Sequence, residues 1–265
     1  MKILVINLAG STDRRIFQQE QLKQLGLDFE ILPAVSVNDI EDSTYQSMSQ
    51  GWERSLRRSE LACYLSHQQS WETVLKDNQP TLILEDDALL SRHVPTLLST
   101  LVNCRFCDLV TLEVRGRKKI VAKQGETLTK DHQLFKLYQD RTGAAGYVLW
   151  PSGAKKLLNK ARTVAPALAD AFISSAYELN AYQVEPAAII QLDQCKHYNI
   201  TNSTQTKSAI SSEVKPVSIA NQSSGAFAFK VRRISSQLRM GWRQLSTLHQ
   251  STKRSIELIA EDFPS

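Results

Sequence analysis

The sequence predicts an α/β fold: one domain over residues 1–212 with a mostly parallel central sheet flanked by helices, then a basic amphipathic helical tail over 213–265. Three observations carry this expectation. Short apolar runs suited to buried strands alternate with helical patterns, the signature of βαβ units. The first strand–helix–strand passage closes within about 30 residues, so the sheet begins parallel. The net charge of +5 is displaced, because from Val214 onward eight Lys or Arg face three Asp or Glu, and the preceding chain balances to zero.

The elements follow in order. "ILVINL", Ile3 to Leu8, is a run for a strand buried on both faces. Ser11 or Thr12 caps a helix carrying Ile16, Leu22 and Leu25, and Gly26 ends it. "DFEILPAV" is the second strand. Residues 36–58 are polar and irregular and read as a long functional or mobile loop. "SELACYLSHQQSWETVLKDN", Ser59 to Asn78, is the clearest helix; Leu61, Tyr64, Leu65, Gln68, Trp71 and Leu75 mark one face, with Glu60, Cys63 and His67 beside it. "TLILEDD" is a strand, "VPTLLSTLVN" a helix and "DLVTLEV" a strand. A polar hairpin-like stretch leads to the strand "GAAGYVLW" and the helix "SGAKKLLNKA"; the helix "ADAFISSAYELN" then precedes "AYQVEPAAIIQ".

Bulk properties exclude several classes of function. A hydrophobic share of 42% with 22% charged residues is ordinary for a globular chain with a core. No apolar run is long enough for a membrane-spanning helix, and the opening "MKILVINLAG" is too short in apolar residues for a signal peptide. A cytoplasmic protein is expected. Four cysteines agree with a reducing compartment; the "CRFC" of Cys104 and Cys107 lacks two further ligands for zinc and reads as two reduced thiols. The sequons at Asn199, Asn202 and Asn221 would go unused in such a compartment. Because the excess positive charge lies outside the globular part, nucleic acid is not an expected partner.

"LILEDDALL", Leu82 to Leu90, places three adjacent carboxylates at the end of an apolar strand, where they repel one another and resist desolvation. Hydrated acids, or acids capping the next helix, are one explanation. A divalent cation is the other, since Mg²⁺ and Mn²⁺ take hard oxygen ligands and share them with substrate phosphate. The C-terminal ends of strands in open α/β sheets form the rim where ligands bind. If the strand persists, Glu85 and Asp87 share a side. Asn7 and Leu8 end the first strand at that rim. Arg14 and Arg15 follow the helix cap, where a guanidinium suits phosphate and a solvated face is the alternative.

In order and spacing, "VINLAGSTDRR", "FEILPAV", "SELACYLSHQQSW", "LILEDDALL" and "GAAGYVLWPSGAKKLL" resemble glycosyltransferase family 25, the lipopolysaccharide and lipooligosaccharide galactosyltransferases, from the N-terminus to about Thr201. The resemblance implies a GT-A-like fold, a UDP-sugar donor (usually UDP-galactose), a lipid-linked oligosaccharide acceptor, and inversion at the anomeric carbon. It also implies a Mn²⁺ or Mg²⁺ ion at a DxD-type motif. Within that motif Asp87 is the candidate metal ligand, and Asp86 or Glu85 turns to the ribose or a metal-bound water. Arg14 then becomes a diphosphate or base contact, and Ala34 and Val35 wall the uracil pocket. His67 gains a substrate-side role, with a satisfied structural histidine as its alternative, and Gly143 and Ala144 suit close approach of a sugar, which a tight turn explains equally well. Asp170 in "PALADAFI" is the candidate general base, with a helix N-cap as its alternative. His197 is a candidate late metal ligand. A metal-dependent phosphoesterase and a non-catalytic membrane-bound nucleotide-sugar-binding protein are the rival classes.

In the tail, Phe227, Val231, Ile234, Leu238, Leu245 and Leu248 recur at helical steps, with Trp242 close by, and Lys230, Arg232, Arg233, Arg239 and Arg243 fill much of the remainder. No acid interrupts from Val214 to Ile256. This pattern reads as a peripheral membrane anchor on the inner face of the cytoplasmic membrane, with Phe227, Leu238, Trp242, Arg232 and Arg233 at the lipid. A helix packing its stripe on the domain is the alternative. Residues 201–212 are the expected linker, or an ordered loop, preceding it.

Overall fold

The computed structural model describes residues 1–201 and 223–264. The strands are β1 (Lys2–Asn7), β2 (Glu30–Pro33), β3 (Thr81–Glu85), β4 (Ala88–Leu90), β5 (Leu109–Thr111), β6 (Lys119–Ala122), β7 (Glu126–Thr127), β8 (Gln133–Gln139), β9 (Gly146–Leu149), β10 (Ala181–Glu185), β11 (Ile189–Gln191) and β12 (Ser251–Arg254). The helices are α1 (Thr12–Gln24), α2 (Asp42–Met48), α3 (Arg58–Asp77), α4 (Val94–Leu101), α5 (Pro151–Ala161), α6 (Ala169–Ser174) and α7 (Ser223–Thr247). The expected architecture, a central sheet flanked by helices with a separate helix near the C-terminal end, is the one observed.

The main sheet runs β12-β6-β8-β10-β5-β9-β3-β1-β2, with β7 on β8, and β4 pairs with β11 in a small ribbon. β2, β1 and β3 are parallel, as the first βαβ unit requires. β9 then lies antiparallel between β3 and β5. Seven of the ten strands therefore point one way, although only three of the pairings are parallel.

Side chains alternate across this sheet. Ile3, Val5, Leu82, Leu84 and Val148 meet α1 and α4 through Leu22, Val94, Leu97 and Leu101. Ile6, Ile83, Tyr147 and Leu149 face α3, α5 and α6 through Leu61, Tyr64, Trp71, Leu157 and Phe172. Two helical layers thus cover both faces. The buried side of α3 is turned from the expected one: Glu60, His67 and Val74 lie inside, while Leu75 is exposed. The reason is that α3 fits between β1 and α5 and so needs a wider apolar side than a single stripe. The polar stretch after β2 is also more ordered than expected, holding a 3-10 turn at Val37–Asp39 and the short α2.

The expected boundary at 212/213, the linker and the sequons at Asn202 and Asn221 involve residues 202–222, outside the described residues. Beyond α7 the described tail holds no further α-helix, only a 3-10 turn at Ala260–Asp262. β12 pairs antiparallel with β6, and Ile256 and Phe263 are buried in a third core cluster with Val121 and Leu137. Cutting the chain at Val214 would strip an edge strand from the sheet as well as the helix. Among the described residues, no helix is long and apolar enough to cross a membrane.

Candidate active site

β1 and β3 end side by side, with Ile6 opposite Glu85, so Asn7 and the acidic triplet share one rim. The strand stops at Glu85, and Asp86 and Asp87 form a turn into β4. The alternation that would place Glu85 and Asp87 on one side therefore does not apply. They converge by another route, since Nε2 of Gln191 in β11 lies 3.1 Å from Glu85 Oε2 and 3.4 Å from Asp87 Oδ1. Helix α1 holds the turn from its buried side. Gln18 Nε2 donates to the carbonyls of Asp86 (3.2 Å) and Ala88 (2.8 Å), and Gln21 accepts the Leu90 amide at 3.0 Å. These side-chain amides satisfy backbone groups that the turn leaves outside the ladder.

The three acids have different surroundings. Asp86 accepts from Asn7 Nδ2 and from Arg14, each at 2.8 Å, so both its oxygens are engaged. Asn7 is buried, and it orients Asp86 from within the core. Arg14 is partly desolvated, but the Asp86 hydrogen bond and charge raise its pKa above the ordinary value. Arg14 therefore sits inside the motif, 3.8 Å from Asp87 Oδ2. Glu85 belongs to a relay. Trp71 Nε1 donates to the Tyr147 hydroxyl at 2.9 Å, that hydroxyl lies 3.0 Å from His67 Nδ1, and His67 Nε2 lies 3.1 Å from Glu85 Oε1. Both ring nitrogens of His67 are thereby engaged, one by the Tyr147 hydroxyl and the other by Glu85. Burial raises the Glu85 carboxyl, but the His67 bond and the charges around it hold it below its ordinary value.

Asp87 is the least well served. Its contacts are the long approach of Gln191 and the distant Arg14, and burial, with the charge of Glu85, pushes its carboxyl up to about 7. No group of three metal-binding side chains among the described residues includes Asp86 or Asp87. One such group is Cys63, His67 and Glu85, whose ligand atoms lie within 4.8 Å of one another. Both ring nitrogens of His67 are engaged there and burial pushes the Cys63 thiol up, so the trio reads as packed support for Glu85.

Opposite the acids, residues 143–145 are held from two sides. Gly143 has φ +102, a left-handed conformation that favours glycine, and a Cβ there would stand 2.9 Å from the Glu113 carboxyl. Asp170 lies inside the first turn of α6, with Leu168 at the cap position, and accepts the Ala171 amide at 2.7 Å. Asp170 is therefore not the N-cap. Burial, and behind it the Glu85 charge, raises its carboxyl above the ordinary range. Ala145 donates to Glu113 Oε2 at 2.7 Å, and its carbonyl accepts the Glu85 amide at 3.0 Å. Ala144 is buried between these contacts.

The other expected site residues fall as follows. The Leu8 carbonyl accepts the Ser11 amide at 2.9 Å and turns the chain from β1 into α1. Ala34 and Val35 line an open groove with Leu65, Gln68 and Glu72, and the Val35 amide is fixed by Ser66 Oγ at 2.9 Å. His67 is fully buried beneath the rim, where it reaches substrate only through Glu85. His197 is exposed, edge-on to Tyr198 and over Gly116, and belongs to no described metal-binding group.

Sequence reasoning missed Glu113, Arg115, Gln191, Gln18 and Gln21. Glu113 is 1% exposed, and its Oε1 is buried without a hydrogen-bond partner. Burial, and then the Glu85 charge, push its carboxyl up to about 8. Arg115 bonds Gln191 and, at 2.8 Å, Asp193, and its charge acts on Glu85, Glu113 and Asp170. Two glutamines three apart on one side of α1 were the one signal available for the turn's support.

Residues 1–173 match the family model described as glycosyltransferase family 25 (LPS biosynthesis protein). A putative glycosyltransferase of Haemophilus influenzae is 27% identical, over 58% of this chain and 55% of its own length. Procollagen galactosyltransferase 1-B of Xenopus laevis is 28% identical over 60% of this chain, but that match covers 28% of the frog protein. The lipooligosaccharide biosynthesis protein lic2B of Haemophilus influenzae is 25% identical over 72% of this chain and 76% of its own. The chain thus spans about half of the first relative and little more than a quarter of the second. The matched segment contains β1, α1, the acidic turn, the Gly143–Ala145 segment and Asp170, and by this match the chain belongs to glycosyltransferase family 25.

Proposed function

We propose that the protein moves a hexose, galactose from UDP-galactose, onto a sugar of a lipid-borne lipopolysaccharide or lipooligosaccharide acceptor, with inversion at the anomeric carbon and at the inner face of the cytoplasmic membrane. The observation that carries this reading is Asp87, a desolvated carboxylate whose cation, Arg14, stands 3.8 Å away and bonds Asp86 more closely, at a rim whose other acids are already engaged. Such a donor fits a hard divalent ion, Mn²⁺ or Mg²⁺. When bound, that ion offsets the charge of the diphosphate as the UDP leaves.

The chain's own residues divide the remaining work. Asn7 and Arg14 fix Asp86 and so fix the turn that presents Asp87. The Trp71–Tyr147–His67 relay keeps Glu85 ionised and aimed at the rim. Gly143, where a Cβ would meet the Glu113 carboxyl, leaves bare backbone for the sugar to approach. Asp170, raised by burial, accepts the proton of the attacking acceptor hydroxyl, because a carboxylate nearer neutrality is a better base. The groove at Ala34 and Val35 receives the uracil. Galactose is favoured by the name of the frog relative and a lipooligosaccharide acceptor by that of the Haemophilus one.

The test is a screen of UDP-hexoses with Mn²⁺, Mg²⁺ or chelator, scoring hydrolysis, transfer to an oligosaccharide and the configuration of the new linkage. Metal-dependent, inverting transfer from UDP-galactose is the expected result. Equal turnover in chelator would remove the metal from the reading, and release of phosphate from simple esters without sugar transfer would replace it with a phosphoesterase.

A further inference from the structure

Helix α7 packs with its polar side down. Arg232 donates to the carbonyls of Gln50 and Trp52, Arg243 donates to the Tyr138 carbonyl and lies over the rings of Tyr138 and Tyr177, and Gln244 bonds Gln139. Thr247 is buried at the end of this side. The opposite side carries Phe227, Val231, Ile234, Leu238, Trp242 and Leu245, with Leu248 just beyond the helix, all between 48% and 74% exposed. A helix that merely covered a core would face the other way. A contiguous apolar stripe held outward in water marks a surface awaiting an apolar medium.

The charge around the stripe says which medium. Lys230, Arg233 and Arg239 are exposed, and no acid occurs from Val214 to Ile256. Two copies of α7 laid together would oppose these cations, whereas an anionic surface would be complementary to them. Beside the stripe, Tyr177, Leu238, Arg239, Trp242, Arg243 and Ser246 line an open groove of about 440 Å³. Its lining joins two guanidiniums to aromatic and apolar walls and contains no carboxylate, a combination suited to a phosphate headgroup above buried acyl chain.

We propose that α7 is a preformed docking helix for an anionic bilayer, lying flat with its stripe in the interface and a lipid phosphate in the Tyr177–Trp242 groove. The inference rests on the reading that the acceptor is lipid-borne. Because the underside of α7 is bonded to β8 and its neighbours, docking fixes the orientation of the whole domain. The Arg232 expected at the lipid is instead an anchor to the domain, while Phe227, Arg233, Leu238 and Trp242 face outward.

The experiment uses the full chain with vesicles of phosphatidylcholine alone or mixed with phosphatidylglycerol, read by co-sedimentation and tryptophan emission. Trp71 and Trp150 are buried and Trp52 half-buried, so Trp242, 74% exposed, dominates any shift. Binding to the anionic vesicles with a blue shift is expected, with at least tenfold weaker binding to phosphatidylcholine. The double variant Arg233→Glu/Arg239→Glu should lose at least tenfold, and Leu238→Glu should lose binding while melting like wild type. Salt should weaken binding without abolishing it, since inserted side chains are not screened. Equal binding to both vesicle types overturns the proposal. So does a concentration-dependent dimer that ignores vesicles and that Leu238→Glu dissolves, which would make the stripe a self-association face. Vesicle binding is read without donor or acceptor. A protein that docks but transfers no sugar therefore defeats only the enzymatic reading, and one that glycosylates a soluble acceptor but ignores vesicles defeats only the docking.

Discussion

Replacing Glu113 with glutamine should stabilise the protein, and by an amount that grows with pH. Glu113 is fully buried, its Oε2 accepts the Ala145 amide, and its Oε1 has no partner. Lys119, the cation that most opposes a raised carboxyl pKa here, is committed to Asp140 at 2.6 Å, Gln183 at 2.7 Å and the Glu113 carbonyl at 2.9 Å. Burial and the Glu85 charge therefore raise the carboxyl from its ordinary 4.5 to about 8. An acid whose folded pKa exceeds its unfolded one binds more protons when folded, so stability falls as pH climbs between the two values. At about 1.4 kcal/mol per pH unit, ionised Glu113 costs at most about 5 kcal/mol, and relaxation brings an expected value nearer 2 to 3 kcal/mol. Glutamine keeps an acceptor for Ala145 and leaves the orphan position equally unpartnered, so these contributions cancel in the comparison. Urea unfolding of both proteins in chelator at pH 5, 7 and 9 should give nearly equal stabilities at pH 5 and a variant more stable by about 2 kcal/mol or more at pH 9. A gap that stays flat with pH, or a wild type that wins at pH 9, would mean that Glu113 is ionised and paired, and the argument from burial would fail.

Three further outcomes follow from the rim. Asp87→Asn should remove metal-dependent transfer and the rise in melting temperature that Mn²⁺ gives the wild type; a variant that keeps either has the ligand misassigned. Asp170→Asn should lower turnover by about 10²- to 10⁴-fold with donor affinity unchanged, as measured by UDP-sugar titration, and a parallel loss of donor binding would place Asp170 on the donor side or in a structural role. Tyr147→Phe should leave Trp71 Nε1 and His67 Nδ1 without their shared partner and cost about 1–3 kcal/mol in denaturant unfolding, and turnover equal to wild type would show that Glu85 needs no relay.

What could be read beforehand followed from local pattern. The strands β1 and β3, with the helix between them, announce themselves through apolar runs and a glycine stop, and the acidic turn stands out because charge interrupts such a run. Direction does not announce itself: "GYVL" is buried on both faces whether it runs with β3 or against it, so the antiparallel β9 was not foreseen. Glu113 looks like any acid at a strand end, because what makes it unusual is the Ala145 amide 32 residues away and a core that excludes water. Similarly, the stripe on α7 was visible, but which side faced the domain depended on carbonyls of Gln50, Trp52 and Tyr138, remote in sequence. The three adjacent acids could not be ranked until Asn7, Arg14, His67 and Gln191 were seen to engage two of them and barely touch the third.

The pairing of β12 with β6 bears on how the chain is made. β6, β8 and β10 emerge from the ribosome well before residues 251–254, so β6 waits as an open edge with unpaired backbone groups until β12 arrives. That wait spans the synthesis of α7, itself apolar on one side, so the nascent chain exposes a strand edge and a greasy helix together. Ribosome-bound chains, or chains that stop before β12, should be the species that aggregate, and pairing of β12, rather than collapse of the βαβ unit of β1 and β2, should set the yield of folded protein. Any fusion or tag placed after Arg254 sits beside this late-closing seam and should slow its closure, whereas one before Lys2 should not.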